Sequence, residues 1–256
     1  LVLLSCAKTM SAVSKVKVPL TTIPRFQKEA AEIALQMSQF SVDELERLLR
    51  VNAKIAVENY KRYQAFHAET TPELPALLAY TGIVFKRLNP KDFSAEDFGY
   101  AQEHLRLTSF CYGLLRPLDV IRAYRLEGDV VLPELGNQTL FSYWRSRLTD
   151  TFIEDIRSAG GILCNLASDE MKSLFDWKRV ESEVRVVTPE FHVWKNGKLA
   201  TIVVYTKMSR GEMTRFILKN KIGNPEELKG FSWEGFEFDE SLSDERKLVF
   251  INGMGE

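Results

Sequence analysis

The chain has 256 residues, of which 45% are hydrophobic and 27% are charged, with 9 Pro and 14 Gly. This balance is typical of a globular protein and excludes a mainly disordered, collagen-like or disulfide-framework chain. Because 34 basic residues oppose 35 acidic ones, the net charge of -1 gives no overall attraction to nucleic acid or to an anionic membrane.

The first half of the chain is predicted to be mainly helical after one strand. Leu1 to Leu4 predict a buried strand rather than a signal peptide, because the apolar run is short and lacks a basic start. Helical spacing covers 27–39 and about 53–67, and Ser41 begins a capping-box pattern between them. A further helix is expected to begin at Ser94 and to continue to a break near Gly113.

The second half mixes strands with helices. An amphipathic helix is predicted over 139–158 and a buried strand over 162–166. Asn196-Gly197 predicts a hairpin between strands 184–194 and 198–205, and Ser209 is expected to cap the next helix. Candidate late strands are 233–238 and 248–251. The whole predicts one mixed α/β domain of the α+β kind over residues 1–256, with a mixed sheet and a helical lobe within 27–125.

Several common site chemistries lack their motifs. The three histidines are far apart, and neither a G-x-S-x-G elbow nor a standard nucleotide-binding glycine loop occurs. We therefore predict no metal and no cofactor. The chain has three cysteines among apolar residues, Cys6, Cys111 and Cys164. This setting favours inert reduced thiols over an iron or redox role. Reduced thiols in turn indicate a cytoplasmic protein. No apolar run is long enough to predict a membrane span.

Basic residues cluster in residues 104–125, where Arg106, Arg116, Arg122 and Arg125 face a single acid. Such a cluster suits phosphate binding, and a glycine turn at Gly113 between two helical stretches would resemble a helix-hairpin-helix element. The alternative is structural, with Arg116 paired to Asp119 and Gly113 ending a helix.

A second candidate follows the strand predicted over 162–166. Ligands in α/β folds bind where a strand ends and a helix begins. Glu170-x-Lys172 beside Asp169 resembles the acid-x-Lys pattern of metal-dependent nucleases. The alternative is that Ser168 or Asp169 simply caps a helix.

The third candidate is the segment 201–230, which has six basic and three acidic residues. Lys207, Arg210 and Arg215 belong to it, and Lys8 would join them if the first strand runs parallel to 162–166. The pattern favours an anionic ligand in a groove, although solvated helix faces produce similar runs.

Taken together, these motifs resemble the YaaA peroxide-stress family. The matching segments share their order along the chain with that family and are Leu3–Met10, Tyr112–Asp119, Tyr124–Glu127, Asn165–Glu170 and Lys207–Ile217.

The resemblance implies a cytoplasmic bacterial protein that limits intracellular iron and oxidative DNA damage during hydrogen peroxide stress. It also implies DNA binding in a positively charged cleft with a helix-hairpin-helix element, which residue matching places around Leu105 to Leu118. Double-stranded DNA or another phosphate-bearing ligand is the partner expected.

Two hypotheses follow for the site. In the first, the protein binds nucleic-acid phosphates through residues drawn from all the basic segments: Lys8, Gly113, Arg116, Arg125, Lys207, Arg210 and Arg215. In the second, it is an enzyme acting on a nucleotide or nucleic-acid phosphate, with acid/base or metal-binding side chains at Asp169, Glu170, Lys172 and Glu127.

Overall fold

The computed structural model describes residues 1–195 and 197–253. Its strands are β1 (Val2–Leu4), β2 (Leu74–Pro75), β3 (Leu105–Ser109), β4 (Gly113–Leu115), β5 (Val120–Ile121), β6 (Val131–Leu132), β7 (Gln138–Thr139), β8 (Ile162–Asn165), β9 (Arg185–Lys195), β10 (Lys198–Ala200), β11 (Phe236–Asp239) and β12 (Lys247–Asn252). Its α-helices are α1 (Gln27–Met37), α2 (Val42–Leu49), α3 (Ala53–Ala65), α4 (Ala76–Ala79), α5 (Ile83–Leu88), α6 (Ala95–His104), α7 (Leu140–Ser158), α8 (Asp169–Lys172), α9 (Trp177–Glu183) and α10 (Val203–Asn220). Short 3₁₀ turns cover Pro90–Asp92, Pro133–Leu135, Pro225–Gly230 and Glu240–Leu242.

The main sheet has the strand order β11-β12-β9-β8-β1-β3-β4, with β10 added to β9. Strands β12, β9, β8, β1 and β3 are parallel to one another, whereas β4, β10 and β11 pair antiparallel to their neighbours. The predicted mixed α/β fold is therefore confirmed.

Helices cover the central strands so thoroughly that every residue of β1, β3 and β4 is buried. The helix α7 packs against β4 and β8, while α10 packs against β9, α5 and α6. Trp144 on α7 is fully buried, and its indole N–H donates to the carbonyl oxygen of Phe110 at 2.8 Å. No described helix has both the length and the apolar character needed to cross a bilayer.

The connections of the sheet reverse direction between β1 and β8. The chain leaving β1 re-enters the main sheet at β3 on one side, and the chain leaving β8 re-enters at β9 on the other side. In open α/β sheets such a reversal leaves a crevice at the carboxyl ends of the two strands, where ligands bind.

Several local predictions are confirmed. Ser41 and Ser94 both form capping boxes at helix starts, and the buried strand at the amino terminus is β1. The predicted hairpin is present as the antiparallel pair β9 and β10, although Asn196 itself lies outside the described residues.

The predicted helix-hairpin-helix element around Leu105 to Leu118 is wrong. The helix α6 ends at His104, and the following residues form the β-hairpin of β3 and β4, with Ser109 opposite Gly113. Leu105 fits a helical spacing, but β3 lies between β1 and β4 and all of it is buried. A strand buried on both faces shows no alternation of apolar and polar residues, so its sequence resembles that of a buried helix.

The boundary at the start of α10 is also different from the prediction. The strand expected over 198–205 stops at Ala200, and the helix begins at Val203 rather than at Ser209. Val203 and Val204 are exposed on the first turn of this helix, so their β-branched side chains mimic a strand without belonging to one.

Candidate functional site

A half-enclosed cavity of about 310 Å³ lies at the carboxyl edge of the sheet, beside the ends of β1 and β8. Segments far apart in sequence form its wall: the loops after these two strands, the start of α5, the stretch before β6 and the first half of α10. Its polar lining residues are Ser5, Cys6, Lys8, Thr9, Tyr124, Arg125, Ser168, Glu170, Lys207 and Arg210. Much of the remaining lining is apolar and includes Leu4, Ile83, Phe85, Phe110, Leu126 and Met171.

Backbone hydrogen bonds fix the loop after β1 in this wall. The N–H of Ser168 donates to the Ser5 hydroxyl at 2.8 Å, which joins the loops that follow the two parallel strands. The N–H of Thr81 donates to the carbonyl oxygen of Thr9 at 3.0 Å, which joins the same loop to the residues before α5. The wall around Lys8 is thus held from two sides.

The close approach of α10 to α5 brings two further basic residues to the cavity. A Cβ atom on Gly211 would lie 2.3 Å from the carbonyl oxygen of Val84, so only glycine permits this spacing. Lys207 and Arg210 precede Gly211 by four residues and one residue on α10, and both line the cavity.

The buried carboxylate of Glu127 holds two of the basic side chains side by side. Its oxygens accept from Lys8 Nζ at 2.8 and 2.9 Å, and Arg125 Nη2 lies 3.5 Å away. The Glu127 side chain is 7% exposed, whereas that of Lys8 is 60% exposed. Glu127 therefore acts as a partner that positions cations at the cavity.

The other two cations have no such partner. Within the described part of the chain, neither Lys207 nor Arg210 forms an ion pair, and the buried Nε atoms of Arg125 and Arg210 make no hydrogen bond. Burial lowers the pKa of the Arg210 guanidinium, against the opposing attraction of Asp169. Buried guanidinium donors without acceptors favour binding of an anion.

The carboxylates of the enzyme hypothesis occupy different environments. Glu170 lines the cavity, but Asp169 pairs with Lys172 at 2.8 Å and its side chain is 91% exposed. The hydrogen bond from Lys172 lowers the pKa of Asp169. Within residues 1–195 and 197–253, no group of three His, Cys, Asp or Glu side chains is placed to hold a metal ion.

Three residues of the nucleic-acid hypothesis lie away from the cavity lining. Gly113 packs against Trp144, and Arg116 follows the far end of β4, where it binds the buried Asp119 at 2.8 Å. The structural pairing of Arg116 and Asp119, which was the alternative, is therefore present. Arg215 binds Asp92 through both terminal nitrogens, at 2.9 and 2.5 Å. The predicted convergence of all the cations is thus limited to Lys8, Arg125, Lys207 and Arg210.

Sequence reasoning missed a buried cluster of hydroxyl groups behind Tyr124, which lines the cavity. The Tyr124 hydroxyl is hydrogen-bonded to Ser109 at 2.6 Å and to the Tyr80 hydroxyl at 2.8 Å, and all three side chains are buried. Burial raises the pKa of both tyrosines and raises that of the neighbouring Cys6 thiol to about 12. Only the apolar setting of these residues in the sequence could have indicated their burial.

Comparison with known proteins now assigns the family. A family model described as "Peroxide stress protein YaaA" matches residues 1–242. A UPF0246 protein of Bacteroides thetaiotaomicron is 99% identical over 256 residues, and one of Bacteroides fragilis is 78% identical over 256 residues, each covering 100% of both chains. A UPF0246 protein of Saccharophagus degradans is 34% identical over 253 residues, covering 98% of each chain. The resemblance seen in the motifs is confirmed, and the chain belongs to the peroxide stress protein YaaA family.

Proposed function

We propose that this protein acts in the peroxide stress response by binding DNA through its phosphates at the cavity between β1 and β8. The family description supports the role in peroxide stress. The observation that carries the DNA-binding part is the meeting of Lys8, Arg125, Lys207 and Arg210 around one cavity. Together with Glu127 and Glu170, these four cations leave a local excess of positive charge in a protein whose net charge is -1.

The exposure of the cations suits a ligand that presents its phosphate backbone, such as a nucleic-acid strand. The Lys8 side chain and the Lys207 residue are exposed and stand at the rim, whereas Arg210 lies deeper. Phosphates of an approaching strand would meet the lysines first and the guanidinium donors afterwards. Binding of this kind is largely independent of base sequence and releases condensed counterions.

The test is a salt titration of affinity for a fluorescein-labelled duplex, followed by anisotropy. The logarithm of the affinity should fall by about 0.9 per logarithm of salt for each phosphate neutralised. Lys207→Ala and Arg210→Ala should each weaken binding at low salt and reduce that slope by about one.

Lys221→Ala is the matched control, because Lys221 follows the other end of the same helix and pairs with Glu96. It should leave both affinity and slope unchanged. Absence of binding at low salt would contradict the proposal. An equal loss of DNA affinity in Lys221→Ala and Arg210→Ala would contradict it too.

The family resemblance extends the proposal to iron: the protein would lower intracellular iron and oxidative DNA damage during peroxide exposure. In a deletion strain under peroxide, the wild-type gene should restore a low level of free iron. Failure of the wild-type gene to do so would contradict this part. The Arg210→Ala gene tests whether the cavity is required.

A further inference from the structure

The cavity is much smaller than a DNA duplex. A DNA duplex is too wide to enter a cavity of about 310 Å³, because its major groove alone is about 12 Å wide. This volume is at the lower end of the range for small-molecule sites, which is about 300–1,000 Å³. A duplex can therefore lie across the mouth but cannot enter.

The lining combines cationic and apolar residues, whereas a bare phosphate requires only the cationic ones. Lys8, Arg125, Lys207 and Arg210 supply cationic groups to this lining for an anion. Inorganic phosphate on these cations would leave the apolar part of the wall uncovered, including Ile83, Phe85, Phe110, Leu126 and Met171. A planar ring buried against that wall would be stabilised in proportion to the apolar surface removed from water.

Neutral hydrogen-bonding groups and a carboxylate also belong to the lining. Ser5, Thr9, Ser168 and Glu170 supply three hydroxyls and one carboxylate to the cavity. Such groups can pair with the polar edge of a base or with a sugar hydroxyl, which a purely apolar pocket would leave unpaired.

We infer that the cavity receives one nucleotide unit, with its phosphate on the cations and its base against the apolar wall. The unit is either a free nucleotide or a nucleotide turned out of a DNA strand, and the second source rests on the proposed function. Turning a base out of a duplex breaks its pairing and stacking, so it is least unfavourable where the base is already unpaired. DNA with an unpaired nucleotide should therefore bind more tightly than a perfect duplex.

The first experiment measures binding of deoxyadenosine monophosphate, deoxyadenosine and inorganic phosphate by calorimetry. The monophosphate should bind at least about tenfold more tightly than either fragment, a difference of about 1.4 kcal/mol. Equal affinity for inorganic phosphate and the monophosphate would overturn the inference.

The second experiment uses duplexes that carry 2-aminopurine, either paired or as a single-nucleotide bulge. The protein should prefer the bulged duplex by about tenfold or more, and the fluorescence of 2-aminopurine should change on binding as the base exchanges its stacked neighbours for the apolar wall. Ile83→Trp, which fills the cavity and leaves every cation in place, should abolish the preference and the binding of the monophosphate.

Leu35→Trp is the matched control, because it makes the same kind of enlargement at an exposed position of α1. Thr9→Trp provides a second blocking variant at an exposed position of the cavity rim, so that a folding defect of Ile83→Trp leaves the test intact. Unchanged binding of the monophosphate and of bulged DNA in Thr9→Trp and Ile83→Trp would overturn the inference.

The outcomes separate this inference from the proposed function. Salt-dependent binding of duplex with no bulge preference and no binding of the monophosphate would overturn the nucleotide site and leave DNA binding standing. Binding of the monophosphate with no affinity for any DNA would do the reverse, and would assign the cavity to free nucleotides.

Discussion

At the scale of single residues, the site depends on an unequal pairing of charges. Glu127 is one buried carboxylate with two cationic neighbours, and Arg210 lies partly buried with an unpaired Nε atom. Desolvated cations are costly unless an anion approaches them. The arrangement is therefore less stable by itself than it would be with an anionic ligand bound.

Replacing Glu127 by Gln tests how far this carboxylate stabilises the fold. The variant should lower the free energy of unfolding by about 1–3 kcal/mol, because Arg125 would lose its buried partner while Lys8 can return to water. Urea unfolding should show a lower midpoint with an unchanged m-value.

Glu96→Gln provides the comparison, because Glu96 pairs with Lys221 and its side chain is 75% exposed. An exposed pair contributes about 0–1 kcal/mol, so this variant should change little. Equal midpoints for the two variants would show that burial of Glu127 has no such role.

At the scale of elements, Gly113 of the β3–β4 hairpin allows a left-handed turn and close packing, neither of which its sequence context indicates. Gly113 has a φ of +71°, and a Cβ atom there would lie 2.7 Å from the Trp144 ring. The residue thus combines a left-handed backbone with close packing against α7. Its position inside the basic segment 104–125 resembles that of a glycine in a phosphate-binding turn.

Gly113→Ala should therefore lower the free energy of unfolding by about 2–4 kcal/mol through strain and overpacking. The salt dependence of DNA binding by the folded fraction should stay unchanged, because Gly113 does not line the cavity. Urea unfolding and the anisotropy titration measure the two effects.

Gly99→Ala is the natural control, because Gly99 lies exposed in α6 with open space around its Cα atom. Alanine should stabilise this helix by about 0.5–1 kcal/mol. A Gly113→Ala variant as stable as the wild type would contradict the packing described for the hairpin.

The same elements show how much of the structure could be predicted. Helix starts with capping boxes, such as Ser94, and the apolar strand β1 carry local signals and were predicted correctly. The β3 strand and the early start of α10 were missed because long-range pairing and packing override local periodicity there. For the site, the order of the segments indicated that Lys8 and Lys207 lie at one edge of the sheet. Arg116 lies elsewhere because β4 is antiparallel to β3 and because Asp119 binds it. Arg215 lies elsewhere because it binds Asp92, a carboxylate of another segment.

At the scale of the whole molecule, buried acidic protons link stability to pH. Burial raises the pKa of the Cys6 and Cys164 thiols from 9.0 to about 12. It also raises the pKa of Cys111 and of Tyr63. The protonated forms are thus favoured in the folded state. Above pH 9 the unfolded chain loses these protons first, so stability is fully present below pH 9 and is lost as the pH rises toward 12.

Between pH 8 and pH 10 the free energy of unfolding should accordingly fall by about 1–1.5 kcal/mol per thiol. Urea unfolding at the two pH values measures the change. A variant with Cys6→Ala and Cys164→Ala should show a smaller fall, since two of the titrating groups are absent. An identical fall in both proteins would contradict the assignment.

The assembly of the cavity from distant segments has a consequence for protein synthesis. Lys207 and Arg210 emerge from the ribosome about two hundred residues after Lys8. At about 5–20 residues per second, the nascent chain spends roughly ten seconds or more without its complete set of cations. The four-cation lining is therefore completed only after α10 has been synthesised and has packed against α5.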